Sequence, residues 1–229
     1  MEENKKIVIA IDGPGAAGKS TVAKRLAKKL NYTYIDTGAM YRCLALYVLN
    51  NNIDAYNKDE LVKATNKINI FMNENGNIYL DGKDVTNEIR TNEISKLASL
   101  VSCPKEVREL FVIKQRELAN ASKNGVVMDG RDIGTIVLPN ANLKIYQIAD
   151  ANVRALRRYN ENVSKGITTP YETILKEIQD RDYMDMNKGF GALKKANDSI
   201  ELDTTNLTID EAVSKIYNKV IEIQNKQIF

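Results

Sequence analysis

The sequence predicts an α/β fold that carries a small antiparallel β insertion. Short strand-like apolar runs alternate with helix-like segments along the 229 residues, which is the pattern of a parallel sheet covered by helices. A glycine-rich turn joins the first apolar run, Ile7 to Ile11, to the first amphipathic segment, Lys19 to Leu30. We expect residues 1–229 to form a single domain, because this length leaves room for one insertion.

The composition is that of an ordinary globular protein, with 43% hydrophobic and 28% charged residues. The 33 basic and 30 acidic residues nearly balance, so we expect no nucleic-acid partner. The apolar runs are too short to span a membrane, and the first residues have no long apolar stretch of the kind found in leaders. We therefore expect a cytoplasmic protein with no membrane partner.

The numbers and positions of cysteine and histidine limit which catalytic and metal-binding chemistry the protein can use. Cys43 and Cys103 have no spacing typical of a zinc or redox site, so we expect free thiols. Histidine is absent, which excludes an imidazole base and histidine-ligated metal sites. Phosphoryl transfer to an acceptor that is already an anion meets this restriction, because no acceptor proton has to be removed.

The glycine-rich turn matches the pattern G-x-x-x-x-G-K-S/T between a strand and a helix. Backbone N–H groups of such a loop wrap phosphate oxygens, and the helix start adds partial positive charge. We expect Lys19 to reach the terminal phosphates of a nucleoside triphosphate and the Ser20 hydroxyl to hold Mg²⁺. The predicted nucleotide-binding residues are Gly13, Pro14, Gly15, Ala16, Ala17, Gly18, Lys19, Ser20 and Thr21.

A second strand, Tyr32 to Asp36, runs into the segment DTGAMYR and a helix over Ala39 to Leu49. Parallel sheets bind their ligands at the carboxyl ends of strands, which makes Tyr41 and Arg42 candidates for the substrate site. From the residues alone, a core aromatic ring and a surface ion pair are equally good explanations of these two side chains.

The pattern of apolar residues changes after the predicted helix Lys58 to Ile68. Short alternating segments surround the dipeptides Asn75-Gly76 and Asp81-Gly82, which are typical of hairpin turns. Because antiparallel hairpins fit poorly into a parallel core, we interpret residues 69–102 as an insertion that covers part of the site. Helices are predicted over 93–102 and 104–122, and they carry Ser99 and Arg108.

The buried strand Gly125 to Asp129 ends in the segment DGRDIGT. Asp129 at its tip resembles a Walker-B acid. Arg131 could hold a phosphate with two hydrogen bonds, or it could pair with Asp132 to close the turn.

The remaining chain is predicted as strand 143–148, helix 151–162, a helix that begins at 168–170 and ends near 184, strand 199–203 and helix 208–224. The spacing of Arg154, Arg157 and Arg158 puts all three on one helix face. We interpret residues 151–168 as a mobile lid over the triphosphate, although a solvated basic face is the alternative. Arg181 and Asp185 lie one helical turn apart, the spacing of a helix ion pair.

Taken together, the segments GPGAAGKST, DTGAMYR, DGRDIGT, and RDYMD with LDTT after it resemble the bacterial cytidylate kinase family in order and spacing. The resemblance covers nearly the whole chain. It implies the nucleoside monophosphate kinase fold, with a five-stranded parallel sheet flanked by helices and an insertion in the monophosphate lobe. It also implies ATP and Mg²⁺ as cofactors and CMP or dCMP as the substrate, and we expect a monomer.

The resemblance assigns roles to individual residues. The acceptor phosphate falls to Arg42 and Arg131, the ribose to Arg181 and Asp185, and the transferred group to Arg157. The implied catalytic residues are Lys19, Arg131 and Arg157. The implied substrate-binding residues are Thr37, Tyr41, Arg42, Ser99, Arg108, Asp129, Arg131, Asp132, Arg181 and Asp185, with Ser99, Arg108 and Asp132 near the cytosine.

Two positions depart from the family pattern: Lys188 stands where an arginine is usual, and Ala192 where a proline is usual. They leave the preference for CMP over UMP open. The alternatives are another small-molecule kinase acting on UMP, AMP or shikimate, a GTPase-like regulator, and a non-catalytic binding module. The segment Asn66 to Asn69 lacks the aspartate of the guanine-reading N-K-x-D motif, which disfavours the regulator.

Overall fold

A computed structural model provides the structure of the protein, and it describes residues 6–73, 76–164 and 166–226. The strands are β1 Ile7–Asp12, β2 Thr33–Asp36, β3 Ile70–Met72, β4 Ile78–Leu80, β5 Lys83–Asp84, β6 Gly125–Gly130, β7 Leu143–Ile148 and β8 Ile200–Asp203. The α-helices are α1 Lys19–Leu30, α2 Thr37–Asn50, α3 Lys58–Lys67, α4 Asn92–Val101, α5 Lys105–Ala121, α6 Ala151–Ser164, α7 Tyr171–Asn187 and α8 Ile209–Lys226.

In the described part of the chain, the main sheet has five parallel strands in the order β2-β6-β1-β7-β8. This confirms the predicted fold class. β1 lies between β6 and β7, so the chain that leaves its carboxyl end emerges at the point where the strand order reverses. Open α/β sheets bind ligands at such a point.

Helices cover both faces of this sheet because the side chains of β1 alternate between them. Ile7, Ile9 and Ile11 pack in one apolar cluster with α1 and α8. Ala10 packs on the opposite face with residues of α5 and β6. β1 is therefore buried on both sides, which fixes the position of the loop that follows it.

The insertion contains the predicted antiparallel element. Among the described residues, β3, β4 and β5 form a three-stranded antiparallel sheet. Asp81 and Gly82, with φ angles of 50° and 83°, form the predicted turn between β4 and β5. The other predicted turn includes Asn75, which lies outside the described residues. Ile78 and Leu80 pack in one cluster with residues of α2. The bounds of the insertion at residues 69–102 stay a prediction.

Some local details of the structure differ from the sequence prediction. Pro104 precedes the first turn of α5 instead of opening it, so that helix begins at Lys105. After β6, residues Ile133–Val137 form a single π-helical turn that the pattern did not indicate. None of the helices in the described ranges has the length and apolar character needed to cross a membrane.

A glycine is required where β6 begins. Gly125 has a φ of +140°, and an added Cβ would lie 2.7 Å from Cε2 of Tyr32 and 2.8 Å from the carbonyl oxygen of Ile7. We expect Gly125→Ala to lower the free energy of unfolding by about 3 kcal/mol, since it combines backbone strain with overpacking.

The matched control is Gly82→Ala, at a φ of +83° with no described atom within 4 Å of the added Cβ. It should cost only the backbone term of about 1 kcal/mol. Urea unfolding of both variants measures the difference, and equal losses would contradict the steric explanation.

Candidate active site

A cavity of about 510 Å³ opens at the carboxyl ends of the central strands. Its walls come from the loop after β1, the start of α2, helices α4 and α5, the turn after β6, and α7. Basic side chains outnumber acidic ones among the residues that line it. All substrate-binding residues predicted from the sequence line this cavity: Thr37, Tyr41, Arg42, Ser99, Arg108, Asp129, Arg131, Asp132, Arg181 and Asp185.

The loop from Gly13 to Gly18 has the backbone geometry of a phosphate cradle. A side chain at Gly13, where φ is +152°, would collide with the carbonyl oxygen of Gln147. Gly18 precedes α1 in the left-handed conformation, and within the described residues no side chain caps that helix start. The first N–H groups of α1 are therefore free to bind an anion.

Lys19 points into this loop and is buried. Its Nζ donates to the carbonyl oxygen of Pro14 at 2.7 Å. Burial lowers the pKa of the Lys19 ammonium, and the nearby charge of Arg131 lowers it further. A neutral carbonyl is a weak partner for a buried ammonium, so an anion at the loop would hold it better.

Asp129 lines the cavity and is hydrogen-bonded to the residue that follows Lys19. Its Oδ2 accepts from the Ser20 hydroxyl and its Oδ1 from the Tyr34 phenol, each at 2.8 Å. Burial raises the pKa of Asp129 to about 6, and the charge of Asp36 contributes to the rise. Hydroxyl and carboxylate oxygens are the ligands that Mg²⁺ prefers, so Ser20 and Asp129 are the residues that could hold such an ion.

Asp185 pairs with a distant arginine that helix spacing did not indicate, and with a lysine three residues along the chain. Its Oδ2 accepts from Nε of Arg131 at 2.6 Å, and its Oδ1 accepts from Nζ of Lys188 at 3.0 Å. Burial alone would raise the pKa of Asp185, but the charges of Arg131 and Lys188 lower it. Among the described residues, no ion pair joins Arg181 to Asp185.

Arg181 is left with unused hydrogen-bonding capacity. Its buried Nε has no hydrogen-bond partner among the described residues. Burial lowers the pKa of Arg181 to about 10, and the charge of Arg131 adds to this effect. A side chain at Gly15 would begin 3.5 Å from Cδ of Arg181 and 3.6 Å from Nη2 of Arg131. Both guanidinium groups therefore lie directly against the glycine-rich loop.

Arg42 adds another cation to the same cavity. Its Nη1 donates to the Ser95 hydroxyl at 3.0 Å and to the carbonyl oxygen of Ile89 at 3.3 Å, both in the insertion. Burial lowers the pKa of Arg42 to about 10, and the charge of Arg181 contributes. Neutral partners do not balance the charge of Arg42, which favours an anion in the cavity.

A buried ion pair lies deeper in the cavity, between Nη2 of Arg108 and Oδ2 of Asp132 at 2.6 Å. The Arg108 guanidinium stacks over the ring of Tyr41, 5.2 Å from its centroid, and Tyr41 packs edge-on against Phe111. Within the described residues, the second oxygen of Asp132, Oδ1, accepts no hydrogen bond. The Ser99 hydroxyl donates to the carbonyl oxygen of Ser95 at 3.3 Å.

The three arginines of α6 bind different parts of the structure. Arg154 is buried, and its Nη1 donates to the carbonyl oxygen of Gly15 at 3.0 Å while its guanidinium also binds Asp182. Arg158 donates to Asn92 at the start of α4 and lines the cavity. Arg157 donates to the carbonyl oxygen of Thr204 at 2.6 Å and is not among the described residues that line the cavity. Its catalytic role and the lid at residues 151–168 stay predictions.

Sequence reasoning missed several polar residues around the cavity. Arg90 lines it and binds Oδ2 of Asp36 at 2.9 Å. Tyr34 holds Asp129 from a strand position that looks purely structural. Asp12, next to the glycine-rich loop, is buried and accepts two backbone N–H groups. A carboxylate at the end of a buried strand was the available signal for Asp12; for Tyr34 and Arg90 the sequence offers none.

Known proteins resemble this chain over nearly its whole length. The family model described as Cytidylate kinase matches residues 9–222. The cytidylate kinase of Alkaliphilus oremlandii is 52% identical over 213 residues, which cover 93% of this chain and 96% of that protein. The cytidylate kinase of Fusobacterium nucleatum is 47% identical, covering 95% and 99%. A solved gluconokinase structure from Sinorhizobium meliloti has a TM-score of 0.51 at 13% identity, covering 97% and 96%, which shows the fold alone.

The buried pair of Arg108 and Asp132 gives a prediction about stability. Their side chains are 2% and 6% exposed, so Asp132→Ala leaves an uncompensated guanidinium in the interior. We expect the free energy of unfolding to fall by about 3–5 kcal/mol.

Asp210→Ala removes the partner of Arg25 in a pair whose side chains are 55% and 85% exposed, and it should have a far smaller effect. Urea unfolding at neutral pH compares the two variants. Similar losses would show that burial does not determine the cost.

Proposed function

Since the chain belongs to the cytidylate kinase family, we propose that it transfers the γ-phosphoryl group of ATP to CMP or dCMP, giving CDP or dCDP. The observation that carries this proposal is the single cavity lined both by the glycine-rich loop and by the predicted acceptor residues. Direct transfer requires the two phosphates to be held in one site and in line. A cytoplasmic location and a monomeric state stay predictions from the sequence.

The donor half of the site consists of the loop from Gly13 to Thr21. Its N–H groups and the start of α1 would bind the triphosphate, and Lys19 would exchange the Pro14 carbonyl for phosphate oxygens. Ser20 and Asp129 would hold Mg²⁺, which neutralises charge on the phosphates when bound. Asp129 already orients the Ser20 hydroxyl through their 2.8 Å hydrogen bond.

The acceptor phosphate would lie among Arg42, Arg131 and Arg181. These guanidinium groups line the same cavity, and the Nε of Arg181 is unpaired within the described residues. An anion placed between them would receive charge-assisted hydrogen bonds and would relieve their mutual repulsion. Arg131 and Arg181 lie against Gly15, so the acceptor phosphate would lie beside the glycine-rich loop.

The nucleoside would extend away from the loop toward Arg108 and Asp132. The free carboxylate oxygen of Asp132 can accept from an exocyclic amine, and Arg108 and Ser99 can donate to a ring carbonyl. An Asp132 that is fixed by Arg108 at 2.6 Å offers its second oxygen in a defined direction. We assign the ribose hydroxyls to Arg181 and Asp185, next to Lys188.

The chemistry requires no general base. The phosphate of a nucleoside monophosphate is an anion at neutral pH, and its oxygen can attack without losing a proton. The protein supplies the positioning of the two substrates and positive charge next to the transferred phosphoryl group. Lys19 would lie on the donor side of the transferred phosphoryl group and Arg131 on its acceptor side. We propose that arginines of α6 supply the remaining positive charge around this group.

Acceptor preference tests the proposed function directly. Purified protein with ATP and Mg²⁺ should phosphorylate CMP and dCMP faster than UMP, AMP, GMP or shikimate. Initial rates at equal acceptor concentration measure this, with product identity checked by chromatography. A wide preference for AMP or shikimate would overturn the proposal.

The division between donor and acceptor halves can be tested with two variants. Lys19→Ala should reduce kcat by about a hundredfold, because it removes the positive charge that would stabilise the transferred phosphoryl group. Arg181→Ala should mainly raise the KM for CMP, by about tenfold. Lys63→Ala, at an exposed position of α3, is the control for removing a charge. Equal increases in the KM for CMP in both site variants would contradict these roles.

A further inference from the structure

One buried carboxylate connects the two loops that carry the donor and acceptor groups. Asp12 is the last residue of β1 and directly precedes the glycine-rich loop. Its Oδ1 accepts from the N–H of Ile133 at 2.8 Å, and its Oδ2 accepts from the N–H of Gly134 at 2.7 Å. Ile133 and Gly134 immediately follow Arg131 and Asp132. We call residues 130–134 the acceptor loop.

The contact satisfies a specific need of the acceptor loop. Ile133 begins the π-helical turn, whose own hydrogen bonds start with Ile136 and Val137 donating to the carbonyl oxygen of Asp132. The first N–H groups of a helical turn have no partner within it and attract negative charge. The Asp12 carboxylate accepts a hydrogen bond from each of these two N–H groups, so it fixes both the position and the orientation of the start of this turn.

Asp12 itself is held firmly. Its backbone pairs with Gly130 of β6 on one side and with Tyr146 of β7 on the other. Asp12 is 5% exposed and is not among the described residues that line the cavity. The carboxylate thus acts from the centre of the sheet and not from the cavity wall.

The charges around Asp12 are compatible with an ionised carboxylate at neutral pH. Burial raises the pKa of Asp12 to about 6, against the lowering effect of the two backbone N–H groups. The charge of Asp132 raises the pKa further and that of Lys19 lowers it. At pH 7.5 the ionised form predominates, so both hydrogen bonds are charge-assisted and stronger than neutral ones.

We propose that Asp12 is a positioning residue that holds the acceptor loop in register with the glycine-rich loop. Through the backbone of Ile133 and Gly134 it fixes where Arg131 and Asp132 present their side chains. Its loss should therefore impair use of the acceptor while leaving the binding of ATP to the free enzyme intact. This inference rests on the proposed kinase function.

Asp12→Asn is the primary variant, because it keeps the size of the side chain. One of the two N–H groups then faces an amide NH₂ instead of an acceptor oxygen. We expect the KM for CMP to rise about tenfold and kcat to fall, since a charge-assisted hydrogen bond is lost. The dissociation constant of ATP, measured by calorimetry without CMP, should change by less than about twofold.

Asp54→Asn is the matched control. Asp54 also accepts a backbone N–H, from Tyr56 at 2.9 Å, but it lies in an exposed turn far from the loops in sequence. This variant should leave both constants unchanged. The wild-type rate with CMP tests the kinase function separately, whereas the ratio of the two constants in the variant tests the role of Asp12.

A second variant perturbs the same contact from the other side and decides the question if Asp12→Asn does not fold. The Cβ of Gly134→Ala would lie 3.1 Å from Cδ of Lys144 and 3.4 Å from Oδ2 of Asp12. It should also raise the KM for CMP more than the dissociation constant of ATP. Equal weakening of CMP and ATP, or a lowered melting temperature with both constants unchanged, would overturn the proposal.

Discussion

Repulsion between neighbouring cations, of which Lys19 is buried and the three arginines are half-buried, is the constraint on which the arrangement of this cavity depends. Arg42, Arg131 and Arg181 lie in one cavity with Lys19, and burial lowers the pKa of Arg42, Arg181 and Lys19. Asp185 compensates for Arg131 through a 2.6 Å contact. The remaining positive charge is available to a ligand, so the phosphate affinity that we propose would follow from incomplete neutralisation and not from any single residue.

The parallel sheet brings these groups together because its strands end at one edge. β1, β2 and β6 lead respectively into the glycine-rich loop, α2 and the acceptor loop, all in register at that edge. The insertion is then joined to the same edge by Arg42 bound to Ser95 and by Arg90 bound to Asp36. The exposed pair of Lys96 and Glu177 links the insertion to α7.

The helix pair α6 and α7 is also joined to the glycine-rich loop. Arg154 binds the carbonyl oxygen of Gly15 and Asp182 together, and it is 4% exposed. Movement of α6 and α7 away from the cavity would break the hydrogen bond with Gly15, so closure of the predicted lid would be coupled to the glycine-rich loop. The hydrogen bond of Arg158 with Asn92 extends this connection across the cavity to α4.

Local pattern determined the donor half of the site and most of the fold. Strand runs, helix periodicity, the spacing within the glycine-rich loop and the Asp81-Gly82 turn each depend on neighbours in sequence, so the sequence by itself predicted them. Tertiary structure decided the partners of the charged groups. Asp185 binds Arg131, 54 residues away, instead of Arg181 one turn away, and Asp12 binds an acceptor loop more than a hundred residues distant. Such pairings depend on strand order and burial, which no local spacing encodes.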